Sequence, residues 1–593
     1  MCPEELLSLM KESFQVAWEH LSLLSLLTVQ VIGIGSLCFF LLWRKRKISS
    51  AIDFADLFSL GVTFLVLFCY LITVIAQLIP GAFVLLRKGV FFISAGASSL
   101  FLLSLCVKRK VKIPRSFLLI VLFLAGLIAI LRLSFIQGLE FPLYNDSALH
   151  YRIISDILSF ALAPHTYYHF GFHSIVAVSA GLAGSQDILH AILVVGQFFL
   201  LIAPFSLAVL THRLTGQTWA GVFTALFAGL GWNMPAYAIN WGKYPAIASM
   251  AFFPLTLLWL ALLVRLRRSE RGLHLLLFCL SLVLLTLLHT RAIIFVWCIL
   301  MSVFLVKQAS IKFDFGNTKI VILLAIAELF ILFDLVLLNP NFHDAMLLYF
   351  KGVNLVASLA TILLFFAAVS THGRLTLEIL TSVAMVAFIS WIKVPAPFTP
   401  YLGEFFLDRP LMQIFLFMPF ATIAGIGIQS LLSKVFSEFG FLSEKYSIIV
   451  CCLTVGLIAS LLLFSRPVTS YEPDSCCTFV KEDDIFAIGW MEKNITPDSQ
   501  ILIASEQWAG QSIATDGGVW IQPLSHISTM KYPYLADFSL SETHSSLCGM
   551  AVTHVYVGNT PKRFDAISIG KMEQWYRATV DLPGAKLYQV LCP

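Results

Sequence analysis

Apolar runs of about 18 residues or more recur along most of the chain, and each matches the thickness of a bilayer. In hydrocarbon no water is at hand for backbone N–H and C=O groups. A chain of this kind therefore folds as helices that satisfy their own backbones. Charged residues make up only 12% of the sequence, against about a quarter in a soluble domain. The fold class expected is a polytopic α-helical membrane protein of about fourteen transmembrane helices with a small C-terminal α/β or α+β domain.

The runs lie near Leu21–Trp43, Leu57–Leu78, Val90–Val107, Phe117–Phe135, Ile188–Leu210, Trp219–Ile239, Ala246–Val264, Leu273–Leu288, Ala292–Val306, Ile320–Leu338, Met346–Ala368, Leu375–Ile392, Leu411–Leu432 and Ile448–Phe464. Met1–His20 reads as an amphipathic lead-in, without the small-residue cleavage site of a signal peptide. Three domains are expected: an N-terminal transmembrane extension over 1–116, a membrane core over 117–465 with an outer loop at 137–187, and a soluble domain over 466–593.

Net charge is +5, but its placement says more than its sum. With Arg44–Lys47 in the cytoplasm, alternation puts Lys108–Arg115, Arg213, Arg265–Arg271, Lys307–Lys319, Arg374 and Lys434–Lys445 on that same side. The condition is that Tyr168–Gly184 does not cross, and a re-entrant or interfacial helix suits that short segment. The loops 137–187 and 395–410 and the tail then face outward, at the cell membrane's extracytoplasmic side. No single extensive basic face exists, so nucleic acid is not an expected partner.

Within the tail, DDIFAIGWMEKN has a helical pattern, and SQILIASE, MAVTHVYVGN and AKLYQV read as strands. Four of the twelve cysteines, Cys476, Cys477, Cys548 and Cys592, lie there. One or two disulfides are open to them outside the cytosol, with three connectivities possible. Adjacent Cys476 and Cys477 are expected to seek separate partners.

Several basic residues fall at outward ends of spans, where basic residues should be scarce: Arg87, Lys88, Lys243, Arg291, Lys351, Lys393 and Arg409. Single cases are ordinary snorkelling. Several converging on one face suit a lipid phosphate or pyrophosphate. INWGKYPAIASM sets Trp241, Lys243 and Tyr244 on a tight turn, although Trp and Tyr at a membrane border are also plain belt residues. LLHTRAII puts His289 and Arg291 in a hairpin mouth, and FFLDRPLM puts Asp408 and Arg409 before a span, where they serve equally as a helix cap. The polar island FPLYNDSALHYRI holds Asp146 and His150. Asp146 suits a general base for an attacking hydroxyl, or an N-cap for a helix starting near Ser147. His150, one turn on, suits a second acid–base group or an acceptor contact.

Five landmarks together resemble the GT-C superfamily of membrane glycosyltransferases. They are Asp146 in YNDSALHYRI, the entry YYHFGFHSIV with His173, the turn Trp241–Pro245, the H-x-R hairpin from His289 to Arg291, and a cap ending in KLYQV. The resemblance spans roughly residues 117–593. It implies a hexosyl or pentosyl transferase with Asp146 at or beside the catalytic base, and Lys243, Arg291 and Arg409 holding a lipid-linked phosphate. Two departures narrow it. The tail has no WWDYG motif, which argues against en bloc transfer to asparagine, and Asp146 is followed by Ser147 rather than Glu, which leaves the acceptor open.

The function expected is transfer of a sugar from a polyprenyl-phosphate donor to a glycan, lipid or protein acceptor, with membrane lipids as further partners. No cofactor is expected, since Asp146 has no acidic partner in its loop before Asp156, but a divalent metal stays open. A polysaccharide polymerase or ligase acting on lipid-linked glycan shares this chemistry. A lipid or solute transporter draws support only from Glu328, Asp334 and Glu378 within spans.

Overall fold

The computed structural model describes residues 20, 23–41, 54–108, 115–162, 169–180, 187–265, 271–399, 403–438, 444–467, 472–508 and 511–593. The N-terminal lead-in, the basic clusters at Arg44–Lys47 and Arg109–Lys112, and Arg267 and Arg268 lie outside these residues. The chain forms two compact units. One comprises Met1–Gly138, Ile157–Ala238 and Tyr244–Glu472; the other comprises Leu139–Asp156, Ile239–Lys243 and Pro473–Pro593.

The first unit is all helical. Among the described residues, 11 helices are long and apolar enough to cross a membrane. In chain order the elements are α1 (Leu23–Leu41), α2 (Phe54–Leu78), α3 (Ala82–Lys108) and α4 (Arg115–Ser134). After α5 (Tyr144–Leu158), which lies mostly in the other unit, come α6 (Gly171–Ala180), α7 (Ile188–Thr215) and α8 (Thr218–Leu230). Then follow α9 (Tyr244–Arg265), α10 (Arg271–Leu288), α11 (Ala292–Lys312), α12 (Thr318–Leu338), α13 (Pro340–Tyr349), α14 (Leu355–Ile389), α15 (Arg409–Glu438) and α16 (Glu444–Phe464). Every apolar run expected from the sequence overlaps at least one of these helices. The polytopic helical architecture is therefore the one that hydropathy dictates.

Three local features depart from the run boundaries. The run Trp219–Ile239 stays α-helical only to Leu230, and a 3-10 turn, Ala236–Trp241, follows. Irregular backbone at this depth is tolerated because it is buried in protein. Here Trp232 is fully buried, and its indole N–H donates to Ser358 Oγ at 2.9 Å. The run Met346–Ala368 is cut in two by Gly352, whose φ of +54° a side chain would strain. In α14, His372 leaves helical geometry (φ −129°, ψ 44°), so the helix is two arms, and these carry the separate runs Met346–Ala368 and Leu375–Ile392.

Helix α6 has 10 residues, about 15 Å of rise, or half a hydrocarbon core. All of them are buried, including His173. It is an internal packing element and not the interfacial helix that its sequence allowed, because every side is covered by protein. α15 packs closely on two neighbours. A Cβ at Gly425 would lie 2.2 Å from Thr224 Oγ1 on α8, and one at Gly427 would lie 2.4 Å from Leu364 O on α14. Small residues let these backbones approach where lipid supplies no hydrophobic drive.

Basic side chains gather at one end of this unit. Thr371 Oγ1 meets Ser430 Oγ at 2.5 Å beside the His372 break, and Leu214, Phe315 and Arg374 line one cavity there. Arg213, Lys312, Lys319 and Lys434 lie within four residues of these positions in the sequence.

In the second unit, helix α17 (Glu482–Asn494) precedes a mixed sheet. Strands β1 (Gln500–Trp508) and β2 (Gln511–Ala514) form a hairpin, followed by α18 (Ile521–Ser525) and β3 (Ser528–Pro533). Helix α19 (Ser541–Gly549), β4 (His554–Val557), α20 (Ala566–Gly570), β5 (Tyr576–Asp581) and β6 (Lys586–Val590) complete it. β1 is central: it pairs in parallel with β4 on one side, and on the other with β3 in parallel and β2 antiparallel. β6 joins β4 to β5, both antiparallel. Ile501, Leu502, Ile503 and Ala504 are all buried, as a strand covered on both faces requires. The helix and three strands read from the sequence are present. β2, β3 and β5 were not legible, because their patterns mix exposed polar residues into short segments.

Cys548 is bonded to Cys592, and Cys476 to Cys477. The expectation that the adjacent pair would separate is thus overturned. Folding brings Cys548 of α19 to a Cα distance of 5.6 Å from Cys592 beyond β6, which leaves the neighbours to each other.

Behind the parallel strands lies a buried acidic pair. Asp516 accepts from Gly518 N at 3.1 Å and Gly558 N at 3.2 Å, and Tyr556 donates to Asp484. Burial, opposed by those N–H groups, lifts the Asp516 carboxyl from 3.8 to about 7, and burial also raises Asp484. A raised folded-state value means that stability is fully present below the ordinary carboxylate range and is lost as pH rises through about 7. Thermal unfolding of the full chain in detergent from pH 4 to 8 should show this decline. Asp516→Asn should flatten it while lowering the acid plateau by about 1–3 kcal/mol, since one backbone N–H loses its acceptor.

Candidate functional site

The polar island becomes α5, which starts at Tyr144 rather than near Ser147. Asp146 therefore sits within the first helical turn, where the helix dipole favours an anion, and not at the N-cap. Its Oδ2 receives Lys243 Nζ at 2.5 Å. The two side chains are 33% and 36% exposed, so the pair is open enough to be reached and sheltered enough to be ordered.

Gly242 makes this meeting possible. Its φ is +62°, and a Cβ there would lie 2.8 Å from Ser147 Oγ, 3.1 Å from Ser147 N and 3.2 Å from Asp146 Cβ. Only glycine lets the turn lie this close against α5. The turn is latched by His150, whose Nε2 donates to Gly242 O at 2.9 Å. That bond fixes the tautomer, because a carbonyl only accepts. His150 is buried, and burial is the main cause that lowers its pKa to about 4, with Lys243 pushing the same way and Asp146 and the Gly242 carbonyl opposing. At neutral pH it is an uncharged imidazole facing the turn. The exposed acid–base role expected from its place one turn after Asp146 does not fit this setting; holding the turn does.

Two further groups of this unit were not found from the sequence. Tyr144 has φ +66°, an outlier for an aromatic residue, and its N–H donates to Cys477 O at 2.9 Å. Its phenol is raised by burial and then by Asp146, with Lys243 opposing, and it also feels Glu506 and Lys562. Those two form their own pair at 2.5 Å. No local pattern reveals a backbone outlier or a pair drawn from a strand and a later loop. Asn145 Oδ1 and Asn240 Nδ2 flank Asp146 and Lys243 in sequence. Both are buried without a hydrogen-bond partner among the described residues. Such atoms cost about 1–3 kcal/mol each unless something satisfies them. Trp241, at the end of the 3-10 turn, is half-buried.

The other predicted residues belong to the helical unit. Tyr244 is fully buried and stacks on Phe172 at 5.7 Å, next to buried His173. His289 meets His169 ring to ring at 4.6 Å. Arg291 pairs with Asp408 at 2.7 Å, and Asp408 also caps α15 by accepting from Leu411 N at 3.0 Å. The capping role read for Asp408 is thus filled by one oxygen, and the other takes Arg291. Arg409 pairs with Asp344 at 3.2 Å, and Lys393 with Glu404 at 3.0 Å. The Arg409 pair is about half exposed on both sides and contributes only about 0–1 kcal/mol. Among the described residues, one set of His, Cys or acidic groups has metal-ligand spacing: His544, Cys548 and Cys592. Its two sulfurs are joined in a disulfide, which removes both thiolates as ligands.

Gly242→Ala should separate the turn from α5 at a cost of roughly 1–3 kcal/mol, from the left-handed backbone and the clash together. Hydrogen–deuterium exchange should quicken in 144–153 and 239–243, with exchange in α15 unchanged.

Residues 146–397 match the profile of a protein family described as a family of unknown function, DUF6541. No curated protein matches the chain. Among solved structures, the chain is similar to the crystal structure of the Archaeoglobus fulgidus oligosaccharyltransferase in complex with zinc and sulfate. Identity is 14%, with 79% of this chain and 72% of that chain covered and a TM-score of 0.39.

Proposed function

We propose that this protein is a membrane glycosyltransferase of the GT-C type, in which Asp146 activates an acceptor hydroxyl and a polyprenyl-phosphate-linked sugar is the donor. The observation that carries this is the partly open Asp146–Lys243 pair, latched by Gly242 and His150. A carboxylate oriented by a lysine within the first turn of a helix is a base fixed in place. The same lysine lies ready for the phosphate that departs.

The step balances simply. The acceptor oxygen bonds to the anomeric carbon and gives its proton to Asp146. The bond from that carbon to the phosphate oxygen breaks, and polyprenyl phosphate leaves with the electron pair. Lys243 offsets its charge. His150 is a positioning residue. Asn145 Oδ1 and Asn240 Nδ2 offer a buried acceptor and a buried donor for sugar hydroxyls. Lys243 fills the cationic place beside the carboxylate that a divalent metal would otherwise take. By the positive-inside rule read along the sequence, the tail and the loop that carries Asp146 face the extracytoplasmic side.

A transporter is supported less well. Glu328 accepts from Thr381 and Glu378 from Arg374, so two of the three intramembrane acids serve the bundle itself.

The test is sugar transfer in proteoliposomes given a panel of polyprenyl-phosphate hexoses and pentoses and a membrane extract as acceptor. Asp146→Asn should lower turnover by about 10²–10⁴-fold, the worth of a general base, with expression and melting unchanged. Lys243→Met should raise KM and lower kcat together. Wild-type turnover in Asp146→Asn would remove the assignment. Sugar accumulation in vesicles without polyprenyl phosphate release would favour transport.

A further inference from the structure

The helical unit contains an apolar cavity of about 700 Å³ among α7, α9, α11, α14 and α15 that the proposed chemistry does not use. Its volume lies in the range of ligand sites. Along α9 it runs from Phe253 to Val264, roughly 16 Å of helix, which is half the hydrocarbon thickness.

One end is closed by aromatic rings. Phe415 stacks on Phe295 at 4.3 Å, and Phe253 meets both edge-on. Pro254 and Pro419 also line the wall. The side opens to the bilayer at Val303, a lining residue in the middle of α11 that is 36% exposed. The far end alone is charged. There His372 breaks α14, and Arg374 spends its Nε on Glu378 at 3.1 Å. Arg213, Lys312, Lys319 and Lys434 follow from the same end.

We infer that this cavity holds an acyl chain of an anionic bilayer phospholipid, with the headgroup at Arg374 and the chain end under Phe253 and Phe415. Three observations select that occupant. The depth matches one leaflet, so a chain crossing the whole membrane does not fit. The charged lining groups sit only at the basic end, which draws an anionic headgroup. The rim opens sideways to hydrocarbon, where phospholipid is the abundant apolar solute, and a dry void would forfeit its packing.

The experiment uses the full-length protein in nanodiscs of phosphatidylcholine carrying a trace of phosphatidylglycerol with a photoreactive diazirine at mid-chain. Crosslinks should map to Phe253–Val264 on α9 and to Phe415–Thr422 on α15. Excess unlabelled phosphatidylglycerol should compete, and phosphatidylcholine should not. Arg374→Gln should cut the preference for the anionic lipid about fivefold, the equivalent of about 1 kcal/mol for one arginine. Leu257→Trp, which fills the cavity, should abolish the crosslinks while leaving those on the outward face of α12 intact.

Equal competition by the two lipids, or labelling no stronger than at Leu323 and Phe330 on α12, would mean ordinary boundary lipid and would overturn the assignment. So would displacement by a polyprenyl phosphate alone. Should Leu257→Trp fail to fold, the wild-type competition still decides. Sugar transfer is not a readout here, so failure of the site leaves the proposed activity untouched.

Discussion

One ion pair organises the second unit. Asp146 and Lys243 stand 97 residues apart in the chain, yet their charged atoms meet at 2.5 Å. Charge alone would not hold them so, since a pair this exposed is weakly attractive in water. The order comes from the backbone beneath. Gly242 takes a left-handed turn with no side chain in the way, and His150 ties the turn's carbonyl to α5. The pair is the visible end of a neutral, buried support. That support has to be neutral: an imidazolium in the same place would be a buried like charge beside Lys243.

Four of the cations singled out in the sequence share a pattern. Lys243, Arg291, Lys393 and Arg409 each have a carboxylate partner, respectively Asp146, Asp408, Glu404 and Asp344. The partners differ in kind. Asp408 is fixed by its capping bond to Leu411 N, so Arg291 is held in place and only 21% exposed. Lys393 is 71% exposed and loosely held. A cation already ordered by an acid loses less freedom on meeting an anion, so Arg291 is better prepared for one than Lys393.

The soluble domain buries charge as well, but in the opposite sense. Asp484 and Asp516 lie in the interior, with backbone N–H groups and Tyr556 as their partners. There the neutral form is favoured and stability falls as pH rises. At Asp146 the partner is a lysine, in a partly open setting. Two acids of one unit are thus set to different tasks by their neighbours.

Local sequence determined the membrane helices, because hydropathy over one span is enough to place a segment in hydrocarbon. It also determined α17 and the strands β1, β4 and β6, whose apolar periods are strong. It flagged Asp146, Lys243, Arg291 and Asp408 as charges in unusual places. Tertiary structure alone decided that Lys243 meets Asp146, that His150 is buried and neutral, that Tyr144 is bent into the left-handed region, and that Cys548 takes Cys592. Each depends on residues far apart in the chain, and no local pattern encodes which distant group will fill a given space. Hydrophobic period is a property of a segment; a hydrogen bond across 92 residues, such as His150 to Gly242, is a property of the fold.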